Sequence, residues 1–171
     1  MRDANLNVRV AHAPCAIDEC ATVACWFDDL EGRIEAVLSS ADRCCLAVAW
    51  FKSKRLMSAL PGGGARVVVQ SEKHVRPLPG VQCRKIGLAK GGSDRPLMHN
   101  KFLIVQDAEG CTTAVLTGSY NYTSTASRSL ENVVCIRNAP KVFAAFEKEF
   151  EALWRIGRRV TAPRAPARGR R

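Results

Sequence analysis

The 171-residue chain of 18.7 kDa has the length of one compact domain, and its 47% hydrophobic and 25% charged residues exclude a disordered, collagen-like or low-complexity polymer. The formal charge of +10 is unevenly placed: residues 52–101 hold eleven Lys and Arg against two acids, and residues 155–171 hold seven Arg and no acid. Such blocks point to an anionic partner, nucleic acid or a membrane surface. Residues 1–20 lack an apolar signal region, and no window approaches the ~18 apolar residues of a membrane span, so the chain reads as cytoplasmic with its eight cysteines reduced.

Cys15, Cys20 and Cys25 recur at five-residue intervals behind His12, but this spacing fits no short zinc knuckle and no metal site is assigned. Asp28 and Asp29 are placed to cap a helix whose apolar positions Leu30, Ile34, Val37, Leu38 and Ala41 form one face. The runs 44–50 and 65–70 read as buried strands, separated by a helical pattern over 53–60. Residues 81–86 alternate as a further strand, and 87–97, with three glycines and a proline, read as a mobile loop. Strands are expected at 98–105, 112–117 and 132–136. Pro140 then opens a helix with Val142, Phe143, Phe146, Phe150, Leu153 and Trp154 on one stripe. The order of these elements predicts an α/β domain over 1–154, a mixed central β-sheet flanked by helices, followed by a basic disordered tail over 155–171.

Three short segments carry chemistry. In Met98-His99-Asn100-Lys101, alternation puts His99 and Lys101 on one face at the head of an apolar strand, where a lysine beside a histidine suggests a held anion. In Gly118-Ser119-Tyr120-Asn121, the glycine permits close backbone approach, and the Ser hydroxyl and Asn amide can donate to phosphate oxygens. Glu131, beside Asn132, stands at the head of the next strand, where its carboxylate can accept a histidine ring N–H and fix the tautomer.

In this order the segments resemble the phospholipase D superfamily, whose HKD motif H-x-K-x-x-x-x-D is followed by G-S-x-N and, about a dozen residues on, by a Glu-Asn pair. The similarity extends from about residue 26 to Trp154. With one copy of the motif, the chain is most similar to the small members: bacterial non-specific endonucleases and animal mitochondrial proteins of the Zucchini type. The family's aspartate falls at position 106, here Gln106. Alternation puts it on the face opposite His99 and Lys101, which implies a structural role there.

The resemblance implies a hydrolase, a phosphodiesterase that needs no metal or cofactor. His99 would form a covalent phosphohistidine, and a second histidine, His99 of a two-fold partner in a homodimer, would act as acid and base. Lys101, Ser119 and Asn121 would bind the substrate phosphate and neutralise transition-state charge, and Glu131 would orient His99. His12 and His74 have no such setting. The basic segments favour nucleic acid, DNA or RNA, and thus an endonuclease. The alternatives are a lipid phosphodiesterase of the phospholipase D or cardiolipin type, drawn to membranes through the basic tail, and an inactive nucleic-acid-binding subunit in which Gln106 marks decay.

Overall fold

The computed structural model describes residue 12 and residues 15–161, apart from 73, 74, 76, 77 and 88–96. The loop expected at 87–97 therefore falls largely outside the described residues, as do His74 and the end of the basic tail. Eight strands form one mixed sheet: β1 (Thr22–Trp26), β2 (Arg43–Val48), β3 (Ala65–Gln70), β4 (Gln82–Ile86), β5 (Lys101–Gln106), β6 (Thr112–Gly118), β7 (Val133–Arg137) and β8 (Arg158–Arg159). Their order is β1-β7-β6-β5-β2-β3-β4-β8. Strands β2, β3 and β4 run parallel and every other pairing is antiparallel. This is the predicted α/β architecture.

Alternation along β5 divides two cores. Leu103 and Val105 pack with Ile34 and Leu38 of helix α1 (Leu30–Ser39) and Leu56 of helix α2 (Lys54–Ser58). Phe102 and Ile104 point to the other face, where Phe143, Phe150 and Leu153 of helix α3 (Pro140–Ile156) cover them. Each such large apolar side chain withdrawn from water contributes about 1.5–3 kcal/mol. The helices thus follow from their apolar stripes, and Pro140 opens α3 as expected.

Three local expectations are corrected and one strand is added. Asp29 precedes α1 but makes no side-chain cap bond: its backbone is left-handed (φ 42°), and Asp28 pairs instead with Arg33 at 3.1 Å. The Asp29 carboxylate lies over Gly32, where an added Cβ would come within 2.6 Å of both its oxygens. The strand expected from residue 98 begins at Lys101, because the backbone of Met98 is taken by the Gln70 side chain rather than by a neighbouring strand. Strand β1 was not anticipated; it is an exposed edge strand paired with β7, so its residues show no buried alternation.

The boundary expected at Trp154 also moves. Helix α3 continues to Ile156, β8 pairs antiparallel with β4, and the amide of Val160 donates to the Cys83 carbonyl at 2.9 Å. Sheet pairing and the burial of Val160 hold residues that composition alone assigned to a disordered tail. Gly157 makes the turn possible, since a Cβ there would lie 3.0 Å from Arg84 Cβ.

All eight cysteines are free thiols. Cys15, Cys20, Cys25 and Cys111 are exposed, and Cys44, Cys45, Cys83 and Cys135 are buried. Among the described residues no cluster of His, Cys, Asp and Glu is arranged to hold a metal ion, and no helix is long and apolar enough to cross a membrane. His12 bonds Glu149 at 3.0 Å.

Candidate active site

Sheet register assembles one end of the sheet. Val48 on β2 pairs with Lys101 on β5, and the next step of that antiparallel ladder joins the Ala49 amide to the Asn100 carbonyl at 3.0 Å. One further step sets Trp50 level with His99. Their rings meet edge to face, with centroids 5.3 Å apart and planes at 79°. On the other side of β5, Phe102 pairs with Thr117, which brings the end of β6 and Gly118 alongside Lys101. The next pairing, Gly118 with Val133, brings in the head of β7.

Gly118 is demanded by that last contact: a Cβ on it would stand 2.2 Å from the Asn132 carbonyl oxygen. The close approach lets the Ser119 amide donate to the Asn132 carbonyl at 3.2 Å and the Asn132 amide donate to Ser119 Oγ at 3.1 Å. Ser119 Oγ in turn donates to Glu131 Oε2. The loop after Ser119 is tied back to the end of β2, because the Tyr122 carbonyl accepts from the amides of Lys52 at 2.7 Å and Ser53 at 2.8 Å.

Lys101 Nζ lies 3.2 Å from His99 Nδ1 and donates to the His99 carbonyl at 2.9 Å. Partial burial, then the Lys101 charge, holds the His99 imidazole below the usual histidine range, which favours its neutral form. Burial also lowers Lys101, against the opposing pull of Glu131. Asn121, Glu131, Trp50, Lys52, Glu72 and Thr123 line a cleft of about 430 Å³. Asn121 Oδ1 is buried and, among the described residues, without a hydrogen-bond partner. Turning that amide over would present its NH₂ group in the same place, so Asn121 can serve a phosphate oxygen as donor.

The five residues singled out in the sequence thus meet at one sheet end. One expected contact differs: the hydrogen-bonded partner of Glu131 is Ser119, and the His99 ring is flanked by Lys101 and Trp50. Gln106 lies at the far end of β5, beside a register shift, donating to the Gly110 carbonyl at 3.1 Å and facing the Cys45 thiol, on the α3 side of the sheet. It is remote from His99, in keeping with a structural role for that position. Three residues escaped the sequence reading. Gln70 is buried and its Oε1 accepts from the Met98 amide at 2.8 Å, fixing the residue before His99. Trp50 packs on His99, and its indole N–H donates to Glu72 Oε1 at 2.6 Å. Glu72 also pairs with Lys52 at 3.1 Å. A signal was available for Glu72, one of only two acids among the thirteen charged residues of 52–101.

Residues 34–154 match the family model described as "Cardiolipin synthase, PLD-like domain". The chain is 31% identical over 144 residues to the mitochondrial cardiolipin hydrolase of Xenopus laevis, which covers 80% of this chain and 66% of that relative, just under two thirds of its length. Among solved structures it is similar to Nuc, a phospholipase D family member from Salmonella typhimurium (TM-score 0.65, 21% identity, 83% of this chain and 99% of that one). It is also similar to NucT from Helicobacter pylori (TM-score 0.64, 15% identity, 80% and 98%). At these identities the structural likenesses speak for the fold.

Proposed function

The chain belongs to the phospholipase D superfamily of phosphodiesterases, and from that premise we propose that it cleaves nucleic acid through a covalent phosphohistidine on His99, at a site completed by a second copy of the chain. The observation that carries this reading is the Lys101–His99 pair: a neutral imidazole with an ammonium 3.2 Å away, beside the Ser119–Glu131 bond and the Asn121 amide. Once Lys101 has left Nδ1, the imidazole carries its proton on Nδ1 and its electron pair on Nε2; His99 Nε2 then attacks phosphorus, the N–P bond forms as the bond to the leaving oxygen breaks, and that oxygen takes a proton from His99 of the partner subunit, which enters the step as imidazolium. The same partner histidine then removes a proton from water, whose oxygen displaces His99 from phosphorus. Lys101 leaves the imidazole for the non-bridging oxygens, joined there by donors from Ser119 and Asn121, and together they offset the charge that grows in the transition state. Glu131 draws Lys101 and Ser119 into place. With cations and neutral donors in these roles, the chemistry calls for no divalent metal.

Nucleic acid is favoured as substrate by the basic segment 52–101 and by Arg158 and Arg159 on the sheet edge, which suit a phosphodiester backbone. A second reading, hydrolysis of an anionic phospholipid, is favoured by one feature. An apolar cavity of about 340 Å³, lined by Phe51, Met57, Val69, Val75 and Leu78, adjoins Trp50 and could take an acyl chain. The name of the Xenopus relative points the same way.

The test is turnover in excess EDTA at low salt, with single- and double-stranded DNA, RNA and cardiolipin vesicles offered in parallel, and with mass spectrometry of alkali-quenched protein for a His99 adduct. Cleavage of nucleic acid with the adduct is the expected result. Cleavage of the lipid alone would move the assignment to the second reading. Binding of nucleic acid without cleavage would make the chain an idle binding subunit and overturn the proposal.

A further inference from the structure

The site has a second acid that the reaction above does not use. Glu72 follows β3 and reaches the end of β2 with both carboxylate oxygens: Oε1 accepts the Trp50 indole N–H at 2.6 Å, and Oε2 pairs with Lys52 at 3.1 Å. Each side of this arrangement lies on different backbone, so the carboxylate joins the ends of two neighbouring strands. The indole it holds is the ring against which the His99 imidazole rests, 5.3 Å between centroids. His99 itself has no strand pairing: β5 begins two residues later, at Lys101. Its ring is therefore held by side chains, Lys101 on Nδ1 and Trp50 on its flank.

We infer that Glu72 is a positioning residue for His99, acting through Trp50. The inference rests on the reading of His99 as nucleophile. A short charge-assisted bond fixes the indole plane, because its only N–H is tied to an anion that Lys52 partly neutralises. The fixed indole narrows the range of imidazole rotation, and attack on phosphorus requires one ring orientation. Without Glu72 the indole can swing into the cleft it lines, and the imidazole loses its flank. Among the described residues, the charged groups near the ring are Lys101 in direct contact, Glu131 through Lys101, and the Glu72–Lys52 pair behind the indole.

The test uses full-length Glu72→Ala, Glu72→Gln, Trp50→Phe and the double variant Trp50→Phe/Glu72→Ala. The small diester bis(p-nitrophenyl) phosphate is the substrate, and NMR of ¹⁵N-histidine protein reads the His99 ring. Glu72→Ala should lower kcat about tenfold, with KM within about twofold, and should shift the His99 titration midpoint. Glu72→Gln keeps an oxygen for the indole N–H and should recover kcat to within about threefold of the parent. Trp50→Phe keeps a ring but has no N–H and should match Glu72→Ala. The double variant should be no worse than either single one, as expected for two members of one chain of contacts. Unchanged kcat and an unmoved His99 titration in Glu72→Ala would overturn the inference, as would losses that multiply in the double variant. Should Glu72→Ala melt before assay, Glu72→Gln against Trp50→Phe carries the comparison. If the parent protein proves inactive on all diesters, the proposed reaction fails, while the NMR titration still decides whether Glu72 orders the His99 ring.

Discussion

Gln70 is the place where the core of the sheet touches the candidate site, and its replacement by leucine tests that link. The side chain is buried at the end of β3; its Oε1 accepts the Met98 amide at 2.8 Å and its Nε2 donates to the Ser71 carbonyl at 3.3 Å. Leucine fills similar space but offers neither bond, so a buried N–H and a buried carbonyl each lose a partner. At about 1–3 kcal/mol for each unsatisfied group, less what the added apolar contact returns, the loss should be about 2–4 kcal/mol. For a domain of this size that lowers Tm by about 5–15 °C. Because Met98 adjoins His99, kcat should fall as well, out of proportion to any unfolded fraction at the assay temperature. Gly87→Ala crowds the same side chain: φ is +82° and the new Cβ would stand 3.0 Å from Gln70 Oε1. Thermal melting by circular dichroism together with diester turnover checks both variants. A Gln70→Leu protein with Tm within 2–3 °C of the parent and unchanged kcat would show that the Met98 amide finds another partner, and that the strand end needs no anchor there.

Lys101→Met and Asn121→Ala should each reduce kcat by about 10²–10³ and leave cooperative melting in place, because both act on developing charge; loss of the melting transition instead would assign them to the fold. The His99 imidazole should titrate below its ordinary value near 6.5, so the acid limb of kcat/KM lies there too. In Lys101→Met the NMR midpoint should rise without reaching that value, since burial, the larger cause, remains; a fall would contradict the assigned contacts. In co-expressed wild type and His99→Ala with verified random pairing, activity should follow the square of the wild-type fraction, about a quarter at equal mixing, and a linear dependence, about half, would exclude a shared site. Ending the chain after Thr161 removes Arg164, Arg168, Arg170 and Arg171 but spares β8. It should weaken nucleic-acid binding and flatten its log–log salt slope by up to about 3–4, leaving saturated single-turnover cleavage unchanged; an unaltered slope would release those arginines from phosphate contact.

The HKD-like segment, Gly118-Ser119-Tyr120-Asn121 and Glu131 were legible before any coordinates because each is a local pattern of residue types at the end of an apolar run. Period-two alternation placed Lys101 and Gln106 on opposite faces of β5, and the stripe from Phe143 to Leu153 announced α3 and the face it covers. What alternation cannot supply is the neighbour on the next strand. Trp50 meets His99 only because Val48 pairs with Lys101, and Glu72 reaches Trp50 only because the parallel β2–β3 register ends both strands together. Those partners are 49 and 22 residues apart, and no spacing along the chain encodes them. The edge strands were hidden for the opposite reason. Strand β1 is exposed and β8 is two arginines long, so neither buries enough apolar surface to leave a pattern, and their backbone hydrogen bonds to β7 and β4 are what define them. Local residue patterns and the family they resemble marked the candidate residues and the faces they share; cross-strand hydrogen bonding, a property of the assembled sheet, decided what touches His99 and carried the sheet past Trp154 to β8.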